Sequence, residues 1–468
     1  MSGASSGTTT PPGGAKRKRS EPGSGSSSKE AKGGKGGKKS SSNGVAGGKH
    51  GSKTANGTAA GSGEANPKRI AYFHDLELST YEHGRAHKFR PFRAKLAHQL
   101  INGYGAYKDL MEVLRPRLVT RTDMGQYHSD AYLEILATAQ ATANKRFGWA
   151  QTDVAESEDP LVRRKIEEVF QRFNVELDPQ KSGNAIFPGV LDYCRLYTTG
   201  SLGCAARLCA GTADVAINWY GGMCHARGSR AAAGCYVNDV VLATLELLKR
   251  FKRILYINLS GVHADAVEEA FYTTSRVMTL SFHLNAEQNP REWPGTGHVD
   301  DVGVDDGEGF AINVPVDPGI DDPMLVSTFT EIVKKAAAVY LPEAIVMQCG
   351  GGFLSTERGG CFNVTEQAYA DCVRVVRDLD VPLLMLGGNG SNMARTARMW
   401  AFATMVLLRK ESLLKDNLIP DVVPCRYYFE PNYEIVGPTA KMPNLNTAEE
   451  NLKLRRRVLG NLNQLMTK

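Results

Sequence analysis

Short, mostly apolar runs recur along this chain, some of them without the alternation that would turn one face to water, and that property constrains the fold more than any other. Arg253-Ile254-Leu255-Tyr256-Ile257-Asn258 and Val381-Pro382-Leu383-Leu384-Met385-Leu386-Gly387-Gly388 are two of them. A strand wetted on one side alternates apolar and polar residues, so runs without alternation suit strands covered on both faces. The runs predict strands at Ala213–Trp219, Ile254–Leu259, Val277–Phe282, Ala311–Val316, Ala344–Gln348 and Pro382–Leu386. Helix-like stretches lie between or beyond them, at Asn238–Arg250, Asp322–Val339, Thr365–Asp378 and Ser391–Leu408, and an amphipathic one closes the chain at Thr447–Met466. Strands alternating with helices predict an α/β protein with a mostly parallel sheet between helical layers. Ligands of such sheets sit beyond the carboxyl ends of the strands. The segments to search for chemistry are therefore Asn258–Ala266, Gln348–Leu354 and Gly387–Asn392.

Charge divides the chain in two. Its 468 residues carry a net charge of +6, but residues 1–66 hold 11 of the 56 basic and only 3 of the 50 acidic side chains. This Gly/Ser/Lys-rich tail has almost no bulky apolar residue, so it cannot offset the entropy of ordering and is expected to be disordered. The tight cluster Lys16-Arg17-Lys18-Arg19 within it reads as a nuclear import signal. The spaced lysines that follow suit weak, salt-sensitive and non-specific nucleic-acid contact. Residues 67–468 form the expected folded domain. No apolar run reaches the roughly 18 residues of a membrane span, and no apolar leader segment opens the chain. The nine cysteines are scattered without C-x-x-C pairs, which argues against a cysteine-based structural zinc site and for free thiols.

The strand ends carry a family likeness. Gly221-Gly222-Met223-Cys224-His225-Ala226, then Gly234-Cys235-Tyr236-Val237-Asn238-Asp239, resembles the G-G-L-H-H-A … C-Y-V-N-D block of class I histone deacetylases. The stretch from Leu255 to Phe271 resembles their D-x-D-x-H-H-G-D-G-V-E-E-A-F block. Further blocks follow in order at Val277–His283, Pro294–Gly297, Gln348–Gly350, Gly360–Asn363 and Leu384–Gly388, so the resemblance runs from about Ile70 to Met466. It implies the arginase/deacetylase fold, a three-layer αβα sandwich around an open, about eight-stranded parallel sheet.

The resemblance also implies a reaction, hydrolysis of acetyl-lysine by a zinc ion held by two Asp and one His. Those three positions fall on Ser260, Val262 and Gly352, so no zinc is expected. The family's general-base pair of histidines, each with an Asp partner, falls on Cys224 with Asn258 and on His225 with Asp265; only the second dyad is intact. The oxyanion-binding Tyr of G-G-G-G-Y falls on Ser391 in Gly387-Gly388-Asn389-Gly390-Ser391, and the two walls of the acetyl-lysine channel fall on Gly234 and Trp293. An oxyanion donor is worth about 10²–10³ in rate and a general base about 10²–10⁴. Losing the metal removes the nucleophile itself.

Other chemistry stays open beside this. Cys224 could act as a thiol nucleophile, although buried thiols are commonly inert. Cys224, His225 and His263 could form a replacement metal site. The resemblance implies a structural potassium held by the backbone of Phe271, Thr274 and Val277, and a second beside the zinc at Asn258 and Ser260. It further implies an inositol phosphate on Arg90, Arg93 and Arg358, with a fourth family arginine replaced by Ala394 next to Arg395. The reading is a nuclear pseudo-deacetylase acting as a scaffold or regulatory subunit of a gene-silencing complex, beside corepressor-type proteins, an active deacetylase or histones. Two alternatives are an active lysine deacetylase with a rebuilt site and an acetyl-lysine or histone-tail binding module.

Overall fold

The computed structural model describes residues 68–83, 90–107, 110–147, 160–177, 183–287, 294–357 and 360–467. Eight strands among them pair into one all-parallel sheet: β1 (Ile70–Phe73), β2 (Glu112–Leu114), β3 (Val215–Asn218), β4 (Ile254–Gly261), β5 (Val277–Leu284), β6 (Ala311–Val316), β7 (Ala344–Cys349) and β8 (Leu383–Leu386). Their order across the sheet is β2-β1-β3-β8-β7-β4-β5-β6. The helices are α1 (Phe92–Gly103), α2 (Arg121–Met124), α3 (Asp130–Phe147), α4 (Pro160–Arg172), α5 (Val190–Cys209), α6 (Asp239–Leu247), α7 (Asp265–Phe271), α8 (Asp322–Tyr340), α9 (Glu366–Arg377), α10 (Met393–Leu407) and α11 (Ala448–Gln464).

Topology decides which helix covers which face. Crossovers between parallel strands are right-handed, so helices joining strands in opposite directions along the sheet lie on opposite faces. The steps through α5, α6 and α7 run one way and those through α1, α8 and α9 run the other. The packing agrees: α5 lies against α6 and α6 against α7, while α1, α10, α9 and α8 pack in series. The result is the three-layer αβα architecture expected from the sequence.

All six expected strands are present. β4 and β5 are buried at every position, as runs without alternation require. Expected helices begin a residue or two late because polar residues cap them: Asn238, Thr365 and Asn392 each accept a backbone N–H from the first turn of the helix that follows. Thr447 and Glu450 form a capping box at the start of α11. β1 and the edge strand β2 extend the expected set.

The core is tied to the site by two tryptophans. Trp219, just past β3, stacks on Trp400 of α10 with ring centroids 5.5 Å apart. The Trp400 Nε1–H donates to the Cys349 carbonyl at 2.7 Å, fastening α10 to the end of β7.

Candidate functional site: a sealed floor at the strand ends

β3, β8, β7 and β4 are neighbours at the centre of the sheet, and register places Asn218, Leu386, Gln348 and Asn258 side by side at their carboxyl ends. Side chains two residues apart on a strand share a face. Tyr256, Asn258 and Ser260 of β4 therefore line one side, and the Tyr256 hydroxyl donates to Gln348 Oε1 at 2.6 Å.

The loop after β3 carries Cys224 and His225. Buried Asp239 at the start of α6 shapes this loop, accepting Gly222 N–H at 3.0 Å, Met223 N–H at 2.7 Å and the Ser201 hydroxyl at 2.5 Å. Burial pushes Asp239 up to about 6. Gly222 has φ +90°, and a Cβ there would lie 2.7 Å from the Gly388 nitrogen, so only glycine lets the two loops approach.

His225 and Asp265 form the dyad expected from the sequence, with Nδ1 2.8 Å from Oδ1. Arg227 extends it, donating to the other Asp265 oxygen at 2.7 Å and to Glu269 at 2.6 Å. Burial alone would raise Asp265, but the His225 hydrogen bond and the Arg227 charge hold it below its ordinary value. Arg227 had no place in the sequence reading; its position three residues after Cys224 in the loop was the only available signal.

Cys224 is 1 % exposed and accepts a hydrogen bond from Gln348 Nε2 at 3.2 Å. Burial raises its thiol well above the ordinary value, so the thiolate that nucleophilic catalysis needs is disfavoured. His263 is turned to Thr296 Oγ1 at 2.8 Å and Glu268 at 3.2 Å. Among the described residues, no three His, Cys, Asp or Glu side chains are grouped to hold a metal ion, so Cys224, His225 and His263 do not assemble one.

The three positions on which the resemblance places zinc ligands lie close together, with donor chemistry that does not fit zinc. The Ser260 hydroxyl donates to the Val262 carbonyl at 3.0 Å. Asn258 Nδ2 donates to the same carbonyl at 2.8 Å and to Ser281 Oγ at 2.9 Å. Val262 has only an aliphatic side chain, and Gly352 has none. The residue missed by sequence reasoning is Asn389. Its Nδ2 donates to the Ser260 carbonyl at 2.9 Å, and its Oδ1 accepts Gly352 N–H at 3.2 Å. An asparagine inside an otherwise glycine-rich string was the signal.

The Ser391 and Asn392 N–H groups both donate to the Glu357 carboxylate, the second at 3.1 Å, which anchors the loop after β8. Gly234, at φ +81°, donates its N–H to Asn184 Oδ1 at 2.7 Å. Phe271 ends α7, Val277 opens β5, and the Phe271 carbonyl accepts Thr274 N–H at 3.2 Å. Trp293, Arg358 and the cluster Lys16, Arg17, Lys18 and Arg19 lie outside the described residues.

One expectation is corrected. Arg93, expected beside Arg90 as an inositol-phosphate ligand from the resemblance, is 3 % exposed and points inward. Its guanidinium donates to the Gly390 carbonyl at 2.6 Å and to the Gly388 carbonyl, and lies over the Trp400 ring. Burial lowers it to about 10. Periodicity explains the error: Arg93 starts the buried face of α1, whereas Arg90 precedes the helix and is exposed.

Comparison with known proteins fits this geometry to a family. The family described as "Histone deacetylase domain" matches residues 87–407. The chain is similar to Histone deacetylase 6 of Arabidopsis thaliana, 40% identical over 403 residues that cover 86% of this chain and 79% of that protein. It is 38% identical to Histone deacetylase RPD3 of Saccharomyces cerevisiae over 401 residues, 85% of this chain and 84% of the other. It is 37% identical to Histone deacetylase 1 of Homo sapiens over 401 residues, 85% and 76%.

Proposed function

The chain belongs to the histone deacetylase family, and from that membership we propose that it is a pseudo-deacetylase serving as a scaffold or regulatory subunit of a chromatin-modifying, gene-silencing complex in the nucleus. One observation carries the reading. Where the family resemblance implies two carboxylates and an imidazole, the strand ends carry Ser260, Val262 and Gly352, whose polar groups are spent on one another and on Asn389. Without such ligands no metal lowers the pKa of a water toward 7 or polarises the amide. The retained His225–Asp265 dyad then has no metal-bound nucleophile to deprotonate, and hydrogen-bonds within the loop structure instead.

The partners proposed are corepressor-type proteins, an active deacetylase or histones. The basic tail supports nuclear import and weak non-specific nucleic-acid contact. A potassium ion on the backbone of Phe271, Thr274 and Val277 requires no side-chain ligand and is compatible with this reading. For an inositol phosphate, Arg90 is the described arginine still placed at the surface.

The test is paired. Native protein purified from nuclei is assayed for bound zinc and for turnover of an acetyl-lysine peptide with and without chelator, and its co-purifying proteins are identified. We expect no turnover and a stable set of chromatin proteins. Stoichiometric zinc with chelator-sensitive turnover would overturn the reading in favour of an active deacetylase. Saturable acetyl-lysine peptide binding weakened by Trp293→Ala, without stable partners, would replace it with a binding module.

A further inference from the structure

We infer that the carboxamide of Asn389 cross-links these strand ends where the family resemblance places a cation, and that this cross-link closes the floor to metal. This rests on the reading that the chain does not use zinc, and goes beyond it: losing ligands leaves a gap, and Asn389 bridges the segments across it.

Three separate loops meet at Asn389. Its side chain joins the end of β4, through the Ser260 carbonyl at 2.9 Å, to the turn after β7, through Gly352 N–H at 3.2 Å. Its own backbone, in the loop after β8, accepts Gly351 N–H at 3.0 Å. One layer away, Asn258 gathers the Val262 carbonyl and the Ser281 hydroxyl with its NH₂ group, while its Oδ1 is buried without a hydrogen-bond partner among the described residues. The Asn389 Nδ2 donor holds the Ser260 carbonyl oxygen as a bound cation would, while its Oδ1 and its backbone carbonyl hold N–H groups that a cation could not. Because a carboxamide is neutral, it needs no buried carboxylate for balance, and none of the residues it touches carries one. Buried oxygens left without a donor would each cost about 1–3 kcal/mol.

The same contacts remove the room a ligand would need. A Cβ built on Gly352 falls onto the Ser260 carbonyl oxygen and lies 2.9 Å from Asn389 Nδ2. A Cβ on Gly350 falls onto Asn389 Oδ1 and lies 2.8 Å from the Ser260 Cβ. Gly261, at φ +72°, would place a Cβ 2.8 Å from the Gly352 carbonyl carbon. Contacts under 3.0 Å to backbone force the segments apart, and interiors at crystal-like density have little slack. An Asp at 352 therefore cannot enter while Asn389 holds Ser260 and Gly352 together.

The experiment uses the full chain and five proteins: wild type, Asn389→Gly, Asn389→Asp, the triple variant Ser260→Asp/Val262→His/Gly352→Asp, and that triple combined with Asn389→Gly. Bound zinc is measured after equilibration with zinc chloride and removal of free metal, and thermal unfolding is followed with and without chelator. We expect chelator to leave the wild-type Tm unchanged. Asn389→Gly should lower Tm by at least about 2 °C, and Asn389→Asp, which keeps the size but loses the donor to Ser260, should lower it as well. The quadruple variant should retain at least fivefold more zinc than the triple. Wild-type Tm in Asn389→Gly, or in Asn389→Asp, would overturn the cross-link. Equal zinc uptake by the triple and quadruple variants, or equal failure of both, would overturn the closure. Zinc on the wild-type protein would instead defeat the pseudo-deacetylase reading, so the two failures are told apart.

Discussion

His74 and His98 lie face to face with ring centroids 3.5 Å apart, with Tyr72 about equally far from both, Tyr220 tilted against His74 and Tyr107 edge-on to His98. Two imidazolium ions cannot share that distance in a buried setting, so the folded state keeps both rings neutral. Burial, with each other's proximity and the charges of Arg115 and Lys95, lowers His74 to about 3; burial, with Arg115, lowers His98 to about 4.

A lowered histidine binds its proton in the unfolded chain before the folded one, so its contribution to stability is complete above about pH 6.5 and is lost as the pH falls from there toward 4 and 3. The slope should approach about 1.4 kcal/mol per pH unit for each imidazole. Urea unfolding between pH 7.5 and 5 measures it. His98→Asn should flatten the loss relative to wild type, and equal slopes would show that the stacked pair is not its source.

Glu366 and Arg395 form a fully buried pair, Oε1 to Nε 2.6 Å, in a geometry that is not that of a hydrogen bond. Burial raises Glu366 to about 7 although Arg395 opposes it. Glu366→Gln strands the arginine charge and should cost about 3–5 kcal/mol. Replacing both by Met should recover a large part of that, because the desolvation of both charges disappears together. Denaturant midpoints of the three variants check the order.

Cys224 should resist alkylation in the native protein. Its thiol is buried, raised by burial and held by Gln348, whereas Cys209, Cys361 and Cys425 are partly exposed. Brief treatment with iodoacetamide followed by peptide mass spectrometry should find Cys224 unmodified until urea is added. Rapid native labelling of Cys224 would reopen a thiol-based activity.

Asp239 holds the loop that carries Cys224 and His225 through three hydrogen bonds. Asp239→Ala leaves two N–H groups and a hydroxyl unsatisfied, and should cost about 3 kcal/mol. Because Gly222 and Met223 are buried, the change should appear in Tm and in their hydrogen exchange.

The parallel sheet was legible because burial on both faces leaves a pattern that few other structures share. β1 and β2 were not, since Ile70–Phe73 and Glu112–Leu114 are too short to show any period. The dyad was legible because its two residues sit in motif blocks, although 40 residues separate them. The inward turn of Arg93 was not legible, because the resemblance marked it only as a phosphate position and nothing in the order of residues says that two glycine carbonyls wait inside for it. Asn389 was overlooked for a related reason: a side chain's partners across three loops are a property of packing, and the chain order records only that one glycine of the string has been replaced.

The closeness of Gly352 to the Ser260 carbonyl bears on how such a protein changes over generations. A mutation restoring the carboxylate at 352 meets a blocked position, and one that clears Asn389 first gives up stability with no ion to compensate for it. On the proposed reading, each single change costs stability before it gains a ligand, so a return to hydrolysis would need several changes together.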